Sequence, residues 1–288
     1  MAGKIPFDGE VITSRQNRRI VELVKLDDRR AREKSRTFRF DGVKLLCEAL
    51  RRGVELDSVF LRAGTAEKVA ERMAELYGYT LSDVGCPVFG VEDSLFEKIS
   101  QENAPDGVIT VAKYIDKFHN FIIIYKEEDF SARKDAPVLL LESVRDPLNV
   151  GAIIRSAAAL GVGRLVMSAD CADLYHPRTL RAAMGPLFSM PVTRVDDLAG
   201  TVKALRESGR RVYAAALDDT AIRLGSQEFD AEREGHPVGA VIGNEGHGLS
   251  PAVIAACDRS VYIPMEADTE SLNAGVAAAL IMWELCKK

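Results

Sequence analysis

The chain has 288 residues, 47% apolar and 28% charged, with a formal net charge of −5, which suits a globular protein with room for two domains of ordinary size. No apolar run reaches the roughly 18 residues that cross a bilayer, and the opening MAGKIPFDGE lacks the apolar stretch of a signal peptide, so the expected setting is cytoplasmic, with no membrane partner. Five scattered cysteines without a CxxC pair, and four scattered histidines, argue against a disulfide frame and against a metal site.

The charge is unevenly spread. Residues 1–52 hold 14 Lys/Arg against 8 Asp/Glu, so the amino-terminal part is basic and the remainder acidic. A local basic face matters more for phosphate binding than the mean charge. Within it, Ile20, Leu23, Val24 and Leu26 recur at helical spacing behind a cap candidate at Thr13 or Ser14. Arg15, Arg18 and Arg19 crowd the first turns of that helix, where positive charge opposes the helix dipole; a phosphate ligand would give such charge a purpose. Arg29, Arg30, Arg32, Lys34 and Arg36 then form a basic loop before a strand-like segment, 37–40. Helices over 42–50, 66–77 and 93–100 alternate with strands over 54–61, 87–90 and 108–112. That alternation predicts a small α/β domain over 1–115.

Residues 116–136 break the rhythm, with one further strand at Phe121–Tyr125 and a charged, turn-rich tail, and the domain junction is placed there. From 137 to 288 apolar strands (138–142, 164–168, 190–195, 211–217, 238–242, 261–263) alternate with helices (150–160, 177–184, 195–208, 251–257). A last, alanine-rich helix is expected to start at Ser271 as its N-cap and to be buried all round. This pattern predicts a parallel sheet covered on both faces. Ligands of such sheets sit beyond the carboxyl ends of the strands.

Three strand-end segments gather there. In the first, Asn149 is a helix cap candidate, Gly151 permits close backbone approach, and Arg155 follows nearly two turns later. In the second, Gly243-Asn244-Glu245-Gly246-His247-Gly248 exposes backbone N–H groups around a carboxylate. The third runs from Ile263 through Met265 and an acidic stretch, 266–270, to Ser271-Leu272-Asn273. Neither GxGxxG nor a P-loop is present, which argues against a dinucleotide enzyme.

Together these segments resemble the SpoU/TrmH-type RNA ribose 2′-O-methyltransferases of the SPOUT class. Asn149-Val-Gly151-Ala-Ile-Ile-Arg155, Gly243-Asn-Glu-Gly246 and Ser271-Leu-Asn273 match the family's three ordered motifs. Arg178-Thr-Leu-Arg181-Ala-Ala-Met-Gly185 is similar to its arginine-bearing segment, while Thr13-Ser-Arg-Gln-Asn17 and Phe40-Asp-Gly42 resemble its ribosomal-protein-like substrate-binding domain. The resemblance implies a carboxy-terminal α/β SPOUT domain with a deep trefoil knot, a homodimer formed through that domain, and S-adenosyl-L-methionine as cofactor. It implies a cofactor site at Gly243, Asn244, Glu245, Gly246, Ile263, Met265, Ser271, Leu272 and Asn273, and catalytic roles for Arg155, Asn149, Ser271, Asn273 and Glu245. An arginine matching Arg155 is the proposed base in this family; a guanidinium with a pKa above about 12 is better suited to stabilising a developing alkoxide and clamping a phosphate. Arg15, Arg18, Arg29, Arg30, Arg32, Arg36, Arg178 and Arg181 are the candidate RNA contacts. Ribosomal RNA is favoured as substrate, with transfer RNA open. The rival reading is a non-catalytic RNA-binding or ribosome-assembly protein that keeps the fold.

Overall fold

The computed structural model describes residue 7 and residues 9–115, 135–266 and 271–287. The strand expected at Phe121–Tyr125, nearly all of the junction and residues 267–270 of the acidic stretch lie outside the described residues. The chain divides into two compact units, Met1–Ile115 with Tyr175–Ser189, and Asp116–Leu174 with Met190–Lys288.

The first unit runs α1 (Arg18–Lys25), α2 (Arg29–Ser35), β1 (Thr37–Asp41), α3 (Val43–Arg51), β2 (Leu56–Arg62), α4 (Ala66–Tyr77), β3 (Val88–Val91), α5 (Asp93–Ile99) and β4 (Val108–Lys113). Its sheet has the order β1-β4-β2-β3, antiparallel except for the β2–β3 pair. The apolar stripe of α1 buries Ile20 and Leu23, but its cap is Asn17, which accepts the Arg19 N–H at 3.0 Å, and not Thr13 or Ser14. The basic segment is a helix and not a loop. Asp28 caps it by accepting the Ala31 N–H at 3.0 Å, and Arg36 closes it in the left-handed region at φ 57°.

That helix corrects one RNA-contact assignment. Arg32 is only 2% exposed, and its guanidinium donates to the carbonyls of Leu26 (2.8 Å) and Asp27 (2.9 Å) just past the end of α1. Its charge ties two helices together and is not offered to a ligand. Arg39 is buried in the same way, donating to both carboxylate oxygens of Asp27 at 2.8 Å and to the Ile99 carbonyl.

Sequence order puts α7 (Pro177–Ala183) in the second domain, yet the segment carrying it packs into the first unit. Aromatic side chains explain this. Tyr175 stacks on Tyr114 with ring centroids 4.1 Å apart, lies 4.5 Å from Phe38, and accepts the Ile115 N–H at 2.8 Å; Phe188 sits 5.6 Å from Phe40.

The second unit contains β5 (Val138–Leu141), α6 (Pro147–Leu160), β6 (Arg164–Ser168), β7 (Val192–Val195), α8 (Leu198–Glu207), β8 (Arg211–Ala215), β9 (Ile222–Arg223), α9 (Gln227–Arg233), β10 (Val238–Ile242), α10 (Pro251–Ala256), β11 (Arg259–Tyr262) and α11 (Ala274–Cys286). The seven described strands pair in parallel, in the order β7-β6-β5-β10-β8-β11-β9. Val138, Leu140, Val166, Val212 and Val241 form a core with Val202, Leu205 and Val253 from α8 and α10; each such side chain contributes about 1.5–3 kcal/mol on burial. The sequence pattern missed β9, which is two residues long, and α9, whose single buried side chain is Phe229.

Two helix starts differ from expectation. Asp146, accepting the Leu148 N–H at 3.0 Å, caps α6, with Pro147 in its first turn, so Asn149 lies inside the helix. Asn273, not Ser271, caps α11. Nor is α11 buried all round: Val276, Leu280 and Trp283, spaced four and three residues apart, stay exposed, Trp283 by 60%.

Candidate active site

Because β5, β10, β8 and β11 run parallel, their carboxyl ends deliver four loops to one edge of the sheet. The loop after β10 is folded around Asn244. Its backbone pairs with Gly248 in both directions (3.1 and 3.0 Å), its Oδ1 accepts the N–H groups of Gly246 and His247, and its Nδ2 donates to the Ser143 carbonyl at 2.8 Å. Gly243 is required here. A Cβ on it would stand 2.5 Å from the carbonyl carbon of Gly248, and backbone cannot yield as a side-chain tip can.

The first loop is held from beneath. Ser143 adopts φ 54°, a strained conformation for a residue with a Cβ. Asp170 fastens it, accepting from Ser143 Oγ (2.6 Å), Ser168 Oγ (2.7 Å) and Arg145 (3.0 Å). Burial alone would raise the pKa of Asp170, but these hydrogen bonds outweigh it and pull the group down to about 2. At the end of β5, Glu142 accepts from the backbone N–H (2.8 Å) and Oγ (2.6 Å) of Ser250, the cap of α10. Sequence reasoning missed Glu142 and Asp170. Their only signal is a carboxylate at or just beyond the end of an otherwise apolar strand.

The three motifs meet through side-chain amides. Asn149, 7% exposed, donates its Nδ2–H to Glu245 and accepts on Oδ1 from Asn273 Nδ2 at 2.9 Å. Asn273 Oδ1 in turn accepts the Gly275 and Val276 N–H groups at the start of α11 (2.9 and 3.3 Å). Each amide is therefore oriented by its neighbour.

Beside this junction lies a pocket of about 780 Å³. Gly243, Asn244, Glu245, Ile263, Met265, Ser271 and Leu272 line it; Gly246, Asn149 and Asn273 are not part of the lining. Ala215, Ala216 and Leu217, from the end of β8, complete the wall and were not anticipated. Arg155 is not in the pocket. It is exposed on α6 and makes no hydrogen bond or ion pair with a described residue. Of the candidate RNA contacts in the first unit, Arg15, Arg18, Arg29, Arg30, Arg36, Arg178 and Arg181 are exposed, although Arg18 is paired with Glu22, Arg29 with Glu33, and Arg181 donates to the Gln101 carbonyl.

The sequence model of the SpoU rRNA Methylase family matches residues 136–283, just over half of the chain and all of the site described above. The chain belongs to the SpoU rRNA methylase family. The MRM3-like substrate binding domain matches residues 17–110 of this SpoU methylase. Over 274 residues it is 27% identical to the 23S rRNA (guanosine(2553)-2′-O)-methyltransferase RlmP of Bacillus subtilis, covering 95% of this chain and 98% of that protein. Among solved structures it is similar to the SpoU methyltransferase AviRb of Streptomyces viridochromogenes in complex with AdoMet, at 27% identity and a TM-score of 0.74, covering 94% and 97% of the two chains. A TM-score of 0.77 to the AdoMet-bound rRNA methyltransferase of Sinorhizobium meliloti, at 23% identity over 96% and 97% of the chains, shows the shared fold. No described helix of this SpoU methylase is long and apolar enough to cross a membrane.

Proposed function

We propose that this chain methylates a ribose 2′-hydroxyl of structured RNA, ribosomal RNA before transfer RNA, using S-adenosylmethionine in the cytoplasm. The observation that carries the proposal is the amide junction Asn273–Asn149–Glu245, which locks three strand-end loops around one pocket. Membership of the SpoU rRNA methylase family and the similarity to the methyltransferases RlmP and AviRb support the same reading.

The pocket fits the cofactor. Its volume falls in the range of small-molecule sites, its walls mix apolar side chains with backbone edges, and Glu245 and Glu266 line it with carboxylates suited to a sulfonium cation. When bound, S-adenosylmethionine supplies an electrophilic methyl on positively charged sulfur. Gly243, Asn244, Ile263, Met265, Ser271 and Leu272 would hold it. Glu245 is kept in place by Asn149, and Asn273 fixes both. Ser271, exposed at the pocket wall, is free to meet the ribose.

Arg155 enters through a second copy. On α6 it shares an exposed stripe with Leu148 and Ala159, and α11, packed on α6 through Gly275 and Ala152, exposes Val276, Leu280 and Trp283. A homodimer through this face would cover the apolar side chains and carry each Arg155 to its partner's site, there to stabilise the developing alkoxide. A trefoil knot belongs to the same proposal: β11 lies between β8 and β9, while the helix that follows it packs on α6. Transfer of labelled methyl from S-adenosylmethionine to bulk ribosomal RNA tests the proposal; RNA binding without transfer would favour the non-catalytic reading.

A further inference from the structure

The first unit contains a groove nearly as large as the cofactor pocket, about 770 Å³, which none of the three motifs reaches. We infer that this groove holds an unpaired nucleotide of the RNA, its base against Phe89 and its phosphates against Arg19, Lys25 and Lys34. The inference rests on the reading of the chain as an RNA methyltransferase and names where the RNA is gripped away from the methyl-transfer pocket.

The groove lies between the α1–α2 hairpin and the sheet; Phe60, Val111 and Leu23 at its base are almost fully buried, and the half-buried Phe89 is the aromatic ring it offers. Phe60 and Val111 come from β2 and β4, Phe89 comes from β3, and Leu23 closes one side from α1. The rings of Phe60 and Phe89 are 5.4 Å apart, and the guanidinium of Arg19 already lies 4.2 Å over the Phe89 ring. Phe89 is thus an aromatic surface that a flat cation has found, and a nucleobase presents the same kind of flat face. Hydroxyls of Ser35 and Thr37, 2.7 Å apart, give the groove a polar edge that can donate to or accept from a base.

Charge selects the occupant. The acids of the α1–α2 hairpin are engaged: Glu22 with Arg18, Glu33 with Arg29, Asp27 with Arg39, and Asp28 as the cap of α2. Of the groove's other acid, Asp57, one carboxylate oxygen accepts from Ser58. Arg19, Lys25 and Lys34 on the rim form no ion pair with a described residue. An aromatic ring beside a rim with more cationic than anionic groups is the arrangement that binds single-stranded nucleic acid. A duplex, whose bases are stacked away, cannot use the ring.

The test uses the full chain, with a short oligouridine and an RNA duplex of equal length as probes. Phe89→Ala should weaken oligouridine binding roughly tenfold and leave duplex binding little changed. Lys25→Ala with Lys34→Ala, both exposed and so harmless to folding, should lower the salt dependence of oligouridine affinity by about 0.7 per lost phosphate contact. Photocrosslinking of a bromouridine-substituted strand should fall on the peptide carrying Phe89. Wild-type oligouridine affinity in both variants, equal losses for strand and duplex, or crosslinks confined to other surfaces would overturn the groove. Titration of the same proteins with S-adenosylmethionine separates the two readings. Groove variants that keep full cofactor affinity while losing oligouridine support the groove; a wild-type chain that binds oligouridine through it but neither binds cofactor nor methylates sinks the methyltransferase reading alone.

Discussion

Asn273 donates to Asn149 at 2.9 Å across 124 residues of sequence, and Asn149 passes its own donor on to Glu245. The direction of these bonds is testable by exchange. Asn149→Asp places two carboxylates face to face and should destabilise the second unit by about 1–3 kcal/mol while abolishing methyl transfer. Adding Glu245→Gln restores a donor opposite the new carboxylate. Urea denaturation should show the double variant regaining most of the lost stability; additive losses would mean that the two side chains are not coupled.

Gly243 leaves no room for a methyl group against the Gly248 backbone. Gly243→Ala should cost about 1–3 kcal/mol and displace the loop that lines the pocket, so cofactor affinity should fall by at least tenfold. Calorimetry on the variant decides this. Wild-type affinity would mean that the loop gives way without consequence.

Asp170 gives the second unit a pH signature. Its pKa is lowered to about 2, below the roughly 3.9 of an unfolded aspartate. The folded state therefore binds this proton less readily, and the stabilisation is fully present above pH 4 and lost as the pH falls towards 2. Asp170→Asn should remove that part of the acid sensitivity, read from urea midpoints between pH 5 and 2. An unaltered slope would place the sensitivity elsewhere.

Two arginines two residues apart should behave in opposite ways. Arg30→Ala, at an exposed site, should leave stability within about 0.5 kcal/mol and reduce the salt dependence of RNA binding by about 0.7–0.9. Arg32→Ala strands the Leu26 and Asp27 carbonyls, so it should cost about 1–3 kcal/mol with the salt dependence unchanged in the protein that remains folded.

The exposed stripe of α11 predicts the state of assembly. Trp283→Glu should turn a dimer into a monomer in sedimentation and remove methyl transfer while the fold, by circular dichroism, stays intact. Arg155→Ala should keep the dimer and cofactor affinity but slow turnover by about 10²-fold or more. Mixing it with a Glu245→Ala chain should recover activity, since mixed dimers then hold one complete site; no recovery would mean that Arg155 serves its own chain.

Much of the second unit was legible because its strands are continuous apolar runs bounded by turns, and parallel pairing then brings their carboxyl ends to one edge. The motif residues at those ends could be found for the same reason. What the pattern could not give was the side-chain bonding. Asn149, Ser271 and Asn273 are all plausible caps by residue type, and only the folded chain distinguishes Asp146 and Asn273 as the caps used. Arg32 shows the same limit. In sequence it is one of a row of cations, and its burial depends on where the end of α1 comes to lie. Residues 175–189 joined the first unit through Tyr175 and Phe188, whose partners Tyr114, Phe38 and Phe40 are far away in sequence.

The central claim is methyl transfer to a ribose oxygen. Purified protein incubated with tritiated S-adenosylmethionine and unmodified ribosomal RNA, followed by alkaline hydrolysis, tests it directly, because a 2′-O-methyl group blocks cleavage at its own nucleotide. The label should appear in alkali-resistant dinucleotides and be lost with Arg155→Ala. Label recovered in mononucleotides would put the methyl on a base, and RNA left unlabelled by a protein that binds it would show a chain that keeps the fold without the chemistry.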